Sequence, residues 1–184
     1  DWSSDVCSSD LLWGITVTFF VPVTVALVVN HSPAIWSNGI SYLGTKVDSF
    51  PWVALGECGT AIFILLATSR WPSRPELNLA KQLMRGVAVC LVCIAATPYT
   101  INSVFNWVHM AFGVISALTQ FALLYELMKR KFLPMPTWPA VALGGGIVSA
   151  LSLPDWDIHS MLIGEIVMEI GVAISLAQIG RAHV

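Results

Sequence analysis

Residues 104–128 read VFNWVHMAFGVISALTQFALLYELM, and Lys129, Arg130 and Lys131 follow at once. At 1.5 Å of rise per residue, a helix over this run is longer than the ~30 Å hydrocarbon core of a bilayer. Its apolar residues are continuous rather than alternating, which excludes a membrane barrel strand. Lipid offers no partner for backbone N–H and C=O groups, so a helix that bonds itself internally is the structure such a run can adopt. The run therefore sets the class: all-α, with lipid as the expected solvent.

Outward from it, five further apolar runs complete a polytopic bundle of six transmembrane helices, at residues 12–29, 51–69, 86–101, 104–128, 138–153 and 160–177. Pro22 is expected to kink the first. Gly144, Gly145 and Gly146 weaken the fifth but permit close backbone approach. Composition agrees: 56% of residues are hydrophobic and 11% are charged, against about 25% charged in a soluble domain. The longest connection, residues 30–50, is rich in Ser, Gly and Asn and has room for a short interfacial helix around Ile35–Leu43.

The ends read differently. Residues 1–11 (DWSSDVCSSDL) and 178–184 (QIGRAHV) resemble one translated sequencing-library adapter in its two directions. They are expected to lie outside a single six-helix domain at 12–177, as in a bacterial metagenomic fragment. Without Asp1, Asp5 and Asp10 the acidic residues fall from 11 to 8, and without Arg181 the basic residues fall from 9 to 8. The remainder is formally neutral and carries no nucleic-acid footprint. Its cysteines, Cys58, Cys90 and Cys93, all sit in apolar runs and imply no disulfide framework.

Basic residues set the orientation. Arg70, Arg74, Lys81 and Arg85 flank the second connection and Lys129, Arg130 and Lys131 the fourth, while the first, third and fifth hold Lys46 alone. The expected topology is N-in/C-in, multi-pass, in the bacterial inner membrane. Trp13, Trp52, Trp71, Trp107 and Trp138 lie near span ends, where an amphipathic ring suits the headgroup level.

Ionisable residues within spans are functional candidates. Asn102, Asn106, His109, Gly113, Ser116 and Gln120 follow helical spacing and form one polar stripe. That stripe is either an interhelical hydrogen-bond seam or the wall of a polar cavity. Gly86, Cys90, Cys93 and Thr97 form a small-residue stripe that favours packing over metal or redox chemistry. Glu57 lies in the outer part of the second span. Glu165 and Glu169, four residues apart, share a helix face; two carboxylates that close in a low dielectric do not both ionise easily. The pair suits proton uptake, cation binding or local hydrogen bonding. Asp155, Asp157, His159 and His31 map to the same outer depth.

Ser41-Tyr42-Leu43-Gly44 closing the first outer loop, Pro98 and the early His109 resemble a bacterial six-span membrane family of unknown function, distantly DRAM/Sfk-like. That family carries an acidic residue soon after the proline, where Tyr99 and Thr100 stand here. The resemblance implies the six-span layout and no established reaction.

The leading expectation is a non-enzymatic membrane protein with an outward-facing polar cavity that binds or passes a small ligand, lipid headgroup, cation or proton. Its expected site is His109, Glu57, Glu165 and Glu169, supported by Asn102 and Asn106, with no cofactor. One alternative is a metal-dependent lipid hydrolase of the alkaline-ceramidase kind, with His31, His109, His159 and Asp157 around zinc. The other is a purely structural membrane subunit.

Overall fold

A computed structural model describes residues 6–71, 73–133, 136–152 and 159–179, with backbone alone for 6–12 and 179. Among these residues the chain is all-helical: α1 (Val6–Val29), α2 (Ile35–Leu43), α3 (Phe50–Arg70), α4 (Asn78–Ala96), α5 (Ser103–Lys129), α6 (Thr137–Leu151) and α7 (Met161–Ile179). Four segments are long and apolar enough to cross a membrane: Phe50–Arg70, Pro75–Ala96, Ser103–Lys129 and Met161–Gln178. Trp13–Val29 and Thr137–Leu151 are shorter apolar helices.

Helix starts and stops follow local chemistry. Pro51 occupies the first turn of α3, where its missing N–H costs nothing. Asn102 caps α5, its side chain accepting from the Phe105 N–H at 3.0 Å. At the other end of α5, Lys131 takes a left-handed conformation with φ 59°. Its N–H donates to the Met128 carbonyl and the Phe132 N–H to the Leu127 carbonyl, which closes the helix as a Schellman motif. Glu126 pairs with Arg130 one turn on.

The third apolar helix departs from the sequence reading of 86–101. It begins at Asn78, after a 3-10 turn at Pro75–Leu77, and stops at Ala96. Pro98 disfavours helical backbone in the residue before it, and Thr97 has left the helix at φ −123°, ψ 66°. At the other end Lys81 and Arg85 extend the helix instead of marking a loop. Lys81 donates to the Trp71 carbonyl at 2.8 Å.

Packing runs α6 on α7, α1 on α3, α3 on α4 and α4 on α5, with lighter contacts of α7 to α1 and of α5 to α6 and α7. The helix α2 leans on α7 at one end of the bundle. We call this the α2 end; Arg70, Lys81 and Lys129 mark the basic end. One apolar cluster, including Ile15, Ile64, Met84, Leu123, Ala142 and Val172, joins six helices, α1 and α3 to α7. A second, including Phe19, Val23, Ile35, Ile40, Leu43, Val53 and Leu162, seats α2.

The outside is as apolar as the inside. Trp107 is 76% exposed, and Val104, Leu118, Leu55, Ile62, Val89 and Ile147 all face outward. On α5 the same helix buries His109, Ser116 and Gln120. Water-soluble monomers seldom expose contiguous apolar patches above a few hundred Å². An exterior this apolar suits a helical bundle in lipid.

Candidate functional site

The site is built around a break in α2. Gly39 has φ 70° and ψ −166° in the middle of that helix. This region is essentially reserved for glycine. Beyond the break, the Ile40 N–H donates to Glu165 Oε2 of α7 at 2.6 Å. The carboxylate takes up a backbone donor that the interrupted helix does not serve, as buried N–H groups require.

The next residue, Ser41, meets His109 of α5 through Oγ and Nε2 at 2.9 Å. The other ring nitrogen, Nδ1, lies 2.9 Å from the Thr97 carbonyl. A carbonyl only accepts, so Nδ1 carries the hydrogen; in the neutral imidazole Nε2 then accepts from the Ser41 hydroxyl. The Thr97 carbonyl is available because α4 ends there and leaves its last carbonyls unsatisfied. Tyr99, in the α4–α5 turn, sets its ring 5.5 Å from the imidazole, centroid to centroid. Burial holds the Tyr99 phenol above its ordinary pKa, with Tyr42 and Glu165 adding to the effect, so it stays a neutral hydroxyl at pH 7.

Glu57 of α3 is buried at 6% exposure. With Ser41, His109, Phe50, Ile94 and Pro98 it lines a narrow recess where α2, α3, α4 and α5 meet. The interior has room for about one water molecule. Deeper in the bundle, Gln120 Nε2 donates to Glu169 Oε1 at 3.0 Å and joins α5 to α7.

The sequence-expected residues thus divide. His109 and Glu57 line one recess at the α2 end, Glu165 holds the Ile40 N–H of α2, and Glu169 lies one turn further along α7 with Gln120. Asn102 serves as a helix cap and Asn106 is exposed. His31 and His159 are exposed, and Asp155 and Asp157 lie outside the described residues. Among the described residues, no three His, Cys, Asp or Glu side chains are grouped to hold a metal. Cys58, Cys90 and Cys93 are free thiols. Thr97 Oγ1 turns back to the Cys93 carbonyl at 2.6 Å, and Gly86 faces Thr119 of α5.

Three participants carry no ionisable signal and are missed by a search for titratable residues: the Ile40 N–H, Gly39 and Ser49. Ser49 is fully buried and donates to the Leu43 carbonyl at 2.7 Å, tying the end of α2 to the start of α3. A glycine inside a short apolar helix is the one cue to the break. The chain matches no family model, no curated protein and no solved structure, so its chemistry is read from this geometry.

Proposed function

We propose that the chain is an inner-membrane protein of six spans, N-in/C-in, whose α2 end faces outward and binds or passes a proton or a water-sized cation. One observation carries the reading: a carboxylate, an imidazole and a hydroxyl from three different helices share a recess with room for about one water. That size suits a proton or a single small ion better than a lipid headgroup. The Ser41–His109–Thr97 chain supplies groups that donate and accept in sequence, and Glu57 supplies a buried carboxyl on the same recess.

Proteoliposomes enclosing a pH-sensitive dye test this reading. The wild-type protein should collapse an imposed pH gradient faster than protein-free vesicles. Glu57→Gln should abolish the difference while leaving the size-exclusion profile unchanged. A wild-type flux equal to that of empty vesicles would reject the role.

The orientation rests on the basic residues clustered at one end. Single cysteines at Asp48 and Lys131, both exposed, report it in a background without the native cysteines. A membrane-impermeant maleimide added to spheroplasts should label Asp48→Cys at once and Lys131→Cys only after permeabilisation. The opposite pattern would invert the topology.

A further inference from the structure

Gln120 is 4% exposed. Its Nε2 donates to Glu169, yet its Oε1 is buried with no hydrogen-bond partner. Such an orphan acceptor is costly, because it has given up water without gaining a partner. Turning the amide over does not relieve it while Glu169 is ionised, because an ionised carboxylate only accepts and the turn sets oxygen against oxygen.

We propose that Glu169 and Gln120 form a proton-binding site in the membrane interior, in which Glu169 rests protonated and closes a two-hydrogen-bond acid–amide pair with Gln120. In that pair one carboxyl oxygen accepts from Nε2 and the O–H on the other donates to Oε1, so the one added proton satisfies the orphan. Among the described residues, the salt bridge found is Arg130–Glu126, and none is made to Glu169. Residues 13–29 of α1, all of α2 and all of α6 contain no Asp, Glu, Lys or Arg. Glu165 is the next carboxylate on α7 itself; α5 brings His109 toward the α2 end and Glu126 and Lys129 toward the basic end, and α3 brings Glu57. This inference deepens the proton reading above by giving the proton a second, interior residence. It rests on that reading only for its purpose, since the protonation state is measurable without any transport.

Infrared spectroscopy of the purified protein at neutral pH is the test. The wild type should show a protonated-carboxyl C=O stretch sensitive to deuterium exchange, and Glu169→Gln should delete a component that Glu165→Gln and Glu57→Gln leave in place. A glutamine at position 169 keeps a donor for Gln120 Oε1, so the variant should fold. In Gln120→Met the O–H loses its acceptor, and the same component should shift to higher wavenumber. If Glu169→Gln leaves the carboxyl region unchanged, Glu169 is ionised and the proposal fails. If added Na⁺ stabilises the wild type but not Glu169→Gln, the occupant is a metal cation, and the proposal fails in that way too. Absent flux in vesicles with the band intact would overturn the transport reading alone.

Discussion

Gly164→Leu should abolish the folded bundle, while Gly144→Leu, in the same helix pair, should be tolerated. The contrast comes from the α6–α7 seam, where the two backbones approach closely. A Cβ added at Gly164 would meet the Ser149 backbone N and Cα; one at Gly145 would meet the Met168 N and Cα; one at Gly171 would meet the Ala142 N and Cα. These are backbone atoms, so relief requires the helices to separate. At Gly144 an added Cβ meets nothing within 4 Å. Small residues at such spacing let membrane helices approach closely, and packing rather than the hydrophobic effect then holds them together. Overpacking one site in a well-packed core costs typically about 1–3 kcal/mol. A leucine wedged against backbone belongs at or above the top of that range, a large share of the ~5–15 kcal/mol that stabilises a domain. Thermal unfolding in detergent, with monodisperse yield, measures it. A Gly164→Leu protein as stable as wild type would mean that α6 and α7 do not meet at this face.

The same seam shows what the sequence discloses. Three consecutive glycines at 144–146 announce a helix that can be approached closely, but not which of the three is approached. A Cβ at Gly146 would first meet the Phe121 ring and Met168 sulfur, while one at Gly145 would first meet backbone. Helix identity was legible because each apolar run ends at a proline, a glycine or a basic cluster, and α2 falls at Ile35–Leu43, where the loop composition places it. The third helix was displaced because Lys81 and Arg85 signal a loop by charge, although long basic side chains extend a helix readily when their heads reach polar partners.

The polar stripe on α5 was legible in its interior and not at its start. His109, Ser116 and Gln120 are buried, as helical spacing requires. Asn102 precedes the first turn, so its side chain turns back onto the backbone as a cap, and Asn106 sits on an exposed first turn. Depth along each span could be counted from the sequence, and it places His109, Glu57 and Glu165 at similar levels. That Ser41 joins Glu57 and His109 at the recess while Ile40 reaches Glu165 depends on how α2 packs on α7, and that in turn depends on one backbone conformation at Gly39, which periodicity does not encode.

Gly39→Ala should therefore be among the most damaging single-methyl changes in the protein, and its cost should depend on Glu165. Two effects add. The backbone at φ 70°, ψ −166° disfavours any residue with a Cβ, by about 1–3 kcal/mol. The added Cβ would also fall within the Glu165 carboxylate. Glu165→Gln should be nearly silent in stability, because its amide oxygen can still accept from the Ile40 N–H. Glu165→Ala should leave that N–H without its partner, at about 1–3 kcal/mol. A double-mutant cycle of Gly39→Ala with Glu165→Ala separates the terms, since contacting residues couple by about 0.5–3 kcal/mol. Truncating Glu165 to alanine vacates the space the new methyl needs, so the double variant should lose less stability than the two single losses together; what persists beyond the Glu165→Ala loss is backbone strain. Strict additivity of melting shifts in detergent would mean that the α2 break and Glu165 are independent. Coupling would make Glu165 the clasp of α2, so that truncating it reaches Ser41, one residue beyond the bond it accepts, and through Ser41 the imidazole of His109.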